Sequence, residues 1–219
     1  FIKLKHVLTR ELIDQYADEI TRQTMQRAAE LADVPMEERT TYSKAFLQVG
    51  NLWQHSDTVK TFAFRMRIAR IATEMLDTDG VRMYHDQALY KEPAGGFTPW
   101  HADQQYWPMA SGKSVTAWIP LQETPIDMGP LCFGRGSHLK NIGRDLEISD
   151  DSEKLIRDEI KNQGILEVQE PFDLGEISFH YGWTLHRAGP NTTDQPRKVF
   201  TIIYMDQDMR LAQPRNQNQ

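Results

Sequence analysis

Phe97-Thr-Pro-Trp-His101-Ala-Asp103-Gln-Gln-Tyr106-Trp107 is the stretch on which the reading of this chain turns. In an extended segment residues i and i+2 project to the same side, so His101 and Asp103 converge on one point while Ala102 faces away. A third ligand then has to come from another strand, and the candidate is His186, in Trp183-Thr-Leu-His186-Arg-Ala188-Gly-Pro-Asn191. Two imidazoles and one carboxylate on a single face of an octahedron form the facial triad of non-haem Fe(II) oxygenases, which leaves three of six positions open. Open positions serve chemistry rather than structure. Each residue also has a plainer reading: His-x-Asp arises often by chance, and a strand histidine is more often hydrogen-bonded than a ligand.

Eleven positions after His186 comes Arg197, opening the strand Lys198-Val-Phe-Thr-Ile-Ile-Tyr-Met205 after a Gly189-Pro190-Asn191 turn. If the two segments pair as a hairpin, the guanidinium points into the same barrel as the metal. A fixed cation with a planar donor fork suits the distal carboxylate of a dicarboxylate co-substrate. The plainer reading is a surface arginine pairing with Asp194 or solvent.

Outward from this stretch, the apolar pattern after Gly80 has a period of two. Segments at 81–90, 97–106, 114–121, 131–134, 165–170, 176–181 and 197–205 are separated by Gly, Pro, Asn and Asp clusters, the pattern of an all-β sandwich or barrel. A charged segment over 150–162, with Leu155, Ile156 and Ile160 on one side, reads as a short inserted helix. Before Gly80 the period is helical. Leu12, Ile13, Tyr16, Ala17, Ile20, Ala28 and Leu31 predict one amphipathic helix over 9–32. Val59, Phe62, Ala63, Met66, Ala69, Ala72 and Leu76 predict a second, capped by Ser56. With no Pro/Gly/Ser-rich linker, residues 1–80 read as a helical buttress on one face of a β-core over 81–205. The end, 206–219, reads as a polar tail, frayed from Gln213.

The 219 residues suit one domain, and 39% hydrophobic with 26% charged residues is an ordinary globular balance. No apolar run approaches the ~18 residues of a membrane span. The excess of 31 acidic over 25 basic residues disfavours nucleic acid as a partner. Cys132 is the only cysteine, so an internal disulfide and multi-thiolate zinc or iron–sulfur sites are excluded. A reducing, cytoplasmic setting is expected, and Phe1-Ile-Lys-Leu-Lys5 shows no signal-peptide apolar core. Nothing in the sequence fixes the oligomeric state.

Further motifs fall in order along the chain: Asp86-Gln87-Ala-Leu-Tyr90-Lys91-Glu-Pro93 upstream of the ligand pair, Pro99-Trp100 before it, then Ala117-Trp118-Ile-Pro-Leu121, Gly129-Pro-Leu131 and Gly136-Ser-His138, and finally His186, Asn191 and Arg197. Over roughly 81–205 this combination resembles the phytanoyl-CoA dioxygenase family of Fe(II)- and 2-oxoglutarate-dependent oxygenases. The resemblance implies a double-stranded β-helix (jelly-roll, cupin-like) barrel with buttressing helices. It implies Fe(II) on His101, Asp103 and His186, and the 5-carboxylate of 2-oxoglutarate on Arg197. Gln87 and Lys91 are expected near the 1-carboxylate end or the substrate, and Trp118 in the co-substrate wall. Lys91 can equally be a solvated strand lysine and Trp118 a core aromatic.

Two departures from the family stand out. Ala188 lies two residues after the third ligand, where members often place a Ser or Thr, and Arg135 stands where a Pro commonly precedes Gly136-Ser-His138. The carboxylate at Asp103 disfavours halogenation, since related halogenases carry Gly or Ala there. Candidate substrate contacts are Met83, Tyr90, Phe97, Tyr106, Trp107, Met109 and Arg135, although Met83 and Phe97 also suit a core. His180, six residues before His186, is a further candidate for the substrate site, falling on the same side if its strand is unbroken, but Gly182 suggests a break, and a satisfied core histidine is the other reading. His55, His85 and His138 lack partners at ligand spacing.

The implied activity is O2-dependent oxidation of 2-oxoglutarate to succinate and CO2, coupled to hydroxylation of an unactivated C–H in a small organic molecule of lipid acyl, amino-acid or natural-product type. Alternatives are desaturation or rearrangement by the same machinery, or a non-catalytic metal-binding barrel acting as a ligand sensor or scaffold.

Overall fold

Alternation in the strands after Gly80 sorts side chains onto two buried faces of one sheet, and this sorting positions everything else. The structure is a computed structural model that describes residues 1–214, apart from the side chain of Tyr42. Its elements in chain order are β1 (Ile2–Leu4), α1 (Arg10–Arg27), α2 (Ala29–Ala32), α3 (Thr41–Ala45), β2 (Leu47–Gly50), α4 (Asp57–Ala63), α5 (Met66–Leu76), β3 (Val81–Lys91), β4 (Thr98–His101), β5 (Ser114–Pro120), β6 (Leu131–Gly134), α6 (Asp150–Asn162), β7 (Glu167–Gln169), β8 (Ile177–Tyr181), β9 (His186–Ala188) and β10 (Arg197–Asp206). The strands form a six-stranded antiparallel sheet, β1-β8-β5-β10-β3-β2, and a four-stranded one, β4-β9-β6-β7.

In β10, Phe200, Ile202 and Tyr204 point toward the helices, while Arg197, Thr201 and Ile203 point the other way into a cavity. β5 divides likewise: Val115, Ala117 and Ile119 go to the helical core, and Thr116 and Trp118 to the cavity. Against the apolar face lie α1, α4 and α5 through Ile13, Tyr16, Ile20, Phe62, Ala72 and Leu76. Phe62 sits edge-on to Phe200 with centroids 5.6 Å apart, an arrangement favoured by the ring quadrupole. The smaller sheet covers the other face, and α6 seals its far side with Ile156 and Ile160 against Trp100 and Leu185. Mainly-β architecture with buttressing helices is therefore as expected, with the two sheets facing across a cavity; no ladder joins their edges among the described residues.

Local expectations fared unevenly. The inserted helix occupies Asp150–Asn162 as read, started by a Ser149–Ser152 capping box. The helix read over 9–32 breaks at Ala28 into α1 and α2. The second breaks at Phe64 and Arg65 into α4 and α5. At about 100° per residue an unbroken helix would swing Ile68 roughly 140° away from Ala63. The break returns both to the core and leaves Met66, expected on the buried face, 64% exposed. The first 80 residues also supply two strands: β1 pairs with β8, and β2 with β3. Within the expected polar tail, Met209 is buried beside Trp107, Met109 and Ile203, and Leu211 bridges to Met109. The frayed end expected over 213–219 lies, from residue 215 onward, outside the described residues.

The expected hairpin does not form. β9 pairs with β4 and β6, whereas β10 pairs with β3 and β5 in the other sheet. The 189–196 connection crosses between sheets, and Asn191 ties it down by donating through Nδ2 to the carbonyls of Lys91, Glu92 and Gln195. Arg197 thus reaches the cavity from the sheet opposite His186. Beside this crossing Gly129 has φ +68°, and an added Cβ would lie 2.3 Å from the Gly189 carbonyl oxygen. Gly136 has φ +76° with open space around it. In urea unfolding, Gly129→Ala is expected to lose about 3 kcal/mol or more, and Gly136→Ala about 1 kcal/mol.

Candidate metal centre

His101 closes β4, Ala102 continues in extended backbone (φ −124°, ψ 129°), and a 3-10 turn begins at Asp103. The i, i+2 geometry therefore holds for one step beyond the strand, just far enough to bring both side chains to one side. Across the β4–β9 ladder His101 lies directly opposite His186. The Nε2 atoms of His101 and His186 stand 3.6 and 3.5 Å from Asp103 Oδ1. Each ring donates through Nδ1 to a backbone carbonyl two residues earlier, His101 to Pro99 at 2.8 Å and His186 to Thr184 at 2.9 Å. That fixes the tautomer and turns both Nε2 lone pairs inward, as a metal requires. Among the described residues this is the one cluster of His, Cys, Asp or Glu able to hold a metal ion.

Burial by itself would raise the Asp103 carboxyl, but the imidazoles of His186, His101 and His180 outweigh it and hold the group well below the usual range. Burial, with His101 beside it, holds His186 well below its ordinary value. An ionised Asp103 and a His186 that burial keeps from taking up a second proton are in the state in which such groups coordinate. Borderline nitrogen donors with one hard oxygen on one side of an open cavity fit a divalent first-row ion such as iron.

The cavity, about 280 Å³, lies between the sheets. Arg197 lines it although only 1% exposed. Its Nη1 donates to the Gly129 carbonyl, its guanidinium lies 5.5 Å from the centre of the Trp118 ring, and no acidic group pairs with it among the described residues. Burial lowers it to about 9, so it stays charged at neutral pH. Arg197 Nε, Trp118 Nε1 and Thr98 Oγ1 are all buried without hydrogen-bond partners, and all three residues line this cavity. Unpartnered buried donors cost about 1–3 kcal/mol each. An oxyanion in the cavity can satisfy them.

Of the other residues singled out in the sequence, Gln87, Trp118, Tyr106, Trp107 and His180 line the cavity. Lys91 does not, nor is it solvated. It is fully buried across the ladder from Arg197, with its amine bound to the Gly96 carbonyl, and burial and Arg197 lower it to about 6. Tyr90 falls on the helix face of β3, because residues of opposite parity to Gln87 point away from the cavity; its hydroxyl pairs with Thr21. Met109 packs beneath Trp107 against Met209, and Arg135 is exposed on the loop after β6. Met83 packs against the helical core, and Phe97 is 40% exposed. Thr116 and Thr98 were not singled out. Thr116 was within reach of the sequence, since it shares parity with Trp118; Thr98 was not, because its role depends on facing Ala188 across the ladder.

A family model described as phytanoyl-CoA dioxygenase matches residues 1–199. A probable alpha-ketoglutarate-dependent hypophosphite dioxygenase of Stutzerimonas stutzeri is 23% identical over 175 residues, which is 76% of this chain and 59% of that protein. Phytanoyl-CoA dioxygenase domain-containing protein 1 of Danio rerio is 26% identical over 134 residues, 58% of this chain and 46% of that one. The chain thus spans only about half the length of these curated relatives. Among solved structures, the epimerase SnoN in complex with Fe3+, alpha ketoglutarate and nogalamycin RO is 27% identical, with a TM-score of 0.77 over 96% of this chain and 80% of its own.

Two outcomes are expected. In Co(II) titrations, His101→Ala, Asp103→Ala and His186→Ala each lose tight binding that the parent protein shows. For Lys91, a folded value near 6 against 10.5 unfolded means that the unfolded chain binds the extra proton between those limits. Stability is then lost as pH falls from about 10 to about 6. Urea unfolding at pH 6, 8 and 10 should show this slope in the parent and a flatter one in Lys91→Met.

Proposed function

Since the chain belongs to the phytanoyl-CoA dioxygenase family, we propose that it is an Fe(II)- and 2-oxoglutarate-dependent dioxygenase acting on a small organic molecule. The observation that carries this reading is that the His101–Asp103–His186 cluster and the unpaired guanidinium of Arg197 open on one cavity from opposite sheets. When bound, iron and 2-oxoglutarate would supply the oxidising chemistry, in which O2 converts the co-substrate to succinate and CO2 as a C–H bond of the substrate is broken.

The residues of the chain bind, orient and exclude water. His101, Asp103 and His186 would hold the metal from one side and leave the remaining positions free. Arg197 would take the far carboxylate of 2-oxoglutarate, with Trp118 as the wall beside it and Gln87 near the co-substrate or substrate. Leu131 and Ala188 line the cavity from the smaller sheet. Tyr106 is locked by accepting a hydrogen bond from the Ile148 amide at 2.9 Å, and with Trp107 it borders the space left for substrate. Arg197 is the sole Lys or Arg lining the cavity among the described residues, so an anionic substrate group would find no second fixed side-chain cation there. That argues against an oxyanion like hypophosphite and for the natural-product end of the range, in keeping with the nogalamycin compound bound to SnoN. Hydroxylation is the default outcome. The likeness to an epimerase favours, as a second reading, removal of a hydrogen from carbon and return of one to the other face without oxygen transfer, with a two-electron reductant such as ascorbate reducing the unused oxygen atom to water. A cytoplasmic location belongs to the same proposal.

The test is anaerobically loaded enzyme with ascorbate, assayed for succinate. Formation should require Fe(II), O2 and 2-oxoglutarate and vanish in His101→Ala and Asp103→Ala. Turnover persisting with all three ligands removed would refute the reading, and co-substrate bound but never consumed would favour a sensor. Arg197→Met should weaken 2-oxoglutarate binding about 10- to 100-fold, the loss expected for charged hydrogen bonds. With a true substrate, a product one oxygen heavier marks hydroxylation, one of unchanged mass epimerisation, and one lighter by two hydrogens desaturation.

A further inference from the structure

Asp103 uses its two oxygens differently. Oδ1 faces the Nε2 atoms of His101 and His186, at 3.6 and 3.5 Å. Oδ2 accepts from Thr116 Oγ1 at 2.9 Å and faces His180 Nε2 at 3.2 Å. Thr116 and His180 belong to β5 and β8, adjacent strands of the larger sheet, and stand directly opposite one another in the ladder. Both project to the cavity side by the same alternation that sends Ala117 and Phe179 into the helical core. His180 is 1% exposed, and its Nδ1 is buried without a partner. A carboxylate oxygen only accepts, so Nε2 carries the proton that faces Asp103.

We propose that His180 and Thr116 are positioning residues that grip the outer oxygen of Asp103, so that the carboxylate meets the metal through Oδ1 alone. Gripped on one oxygen by two donors, it cannot swing to take a second coordination position, and a position stays open for co-substrate or O2. The pair comes from the larger sheet, whereas His101 and His186 come from the smaller, so the grip also sets the depth of the metal between the sheets. This inference rests on the cluster holding a metal, and it separates His180 from the ligands despite its ring centroid lying only 4.5 Å from that of His186.

The test uses Co(II) as the probe, with the full chain and its thermal unfolding followed in parallel. His180→Phe, which fills the space but cannot donate, should bind Co(II) about 10- to 100-fold more weakly and alter the visible d–d spectrum. His180→Gln, whose amide can still donate, should recover most of the affinity and the parental spectrum. Thr116→Val should cost about 3- to 10-fold. Co(II) affinities of folded His180→Phe and Thr116→Val within twofold of the parent would overturn the proposal. Loss in His180→Gln as deep as in His180→Phe, with a changed spectrum in both, would also overturn it by making His180 a ligand. If His180→Phe does not fold, the Gln and Val variants decide the matter alone. Failure of the parent protein itself to bind Co(II) would instead remove the metal reading, a result distinct from either.

Discussion

The pairing of β4 with β9 is the constraint on which the rest depends. Each strand is short, and in each a histidine is held by a hydrogen bond from Nδ1 to a carbonyl two residues earlier, so neither ring can turn without losing a buried bond. Their register sets the two rings opposite one another across the ladder, with centroids 4.2 Å apart and planes tilted by 54°. A slip by one residue would send one of them to the opposite side of the sheet. Because Ala102 keeps an extended conformation before the chain turns, Asp103 joins them. The smaller sheet thus presents a preassembled group of donors.

The larger sheet supplies what that group faces. Its cavity side carries charge and polarity where a core would carry aliphatic side chains, and its other side is fully committed to the helices. Arg197 and Lys91 lie opposite each other on adjacent strands, both deeply buried and without an acidic partner among the described residues. Arg197 stays charged at neutral pH while burial and that charge drive Lys91 toward its neutral form, and holding the pair together is a standing cost to the fold. A dianionic ligand beside Arg197 would offset part of it, which would make ligand binding and folding stability parts of one balance. The tie from Asn191 to the Lys91 and Glu92 carbonyls keeps Arg197 pointing inward while the chain passes from one sheet to the other.

Much of this was legible beforehand, for identifiable reasons. The period of two in 114–120 and 197–206 is long enough to declare both faces, and the i, i+2 relation needs no knowledge of partners. The apolar phase of 150–162 is a local signal, so that helix appeared with its limits, although Leu155, read on its apolar side, is 54% exposed. What failed were β1 and β2, strands of three and four residues too short to show a period, the partner of β9, and the helix over 56–76, whose change of phase after Ala63 reads as continuity when only apolar spacing is counted. Tyr90 and Met109 were misjudged as site residues because nearness to a motif along the chain is not nearness in space.

The amino-acid sequence by itself determined the donor types, their pairing within 101–103 and the β-rich class, because each follows from side-chain chemistry and local periodicity; it offered Arg197 only through a hairpin that does not form and through the family resemblance. Tertiary structure alone decided that His186 and Arg197 arrive from different sheets, that His180 and Thr116 hold the outer oxygen of Asp103, and that Lys91 is buried away from the cavity. Those facts depend on which strands become neighbours. That choice is made by the burial of whole faces and by the loop between β9 and β10, and no short window of residues encodes it.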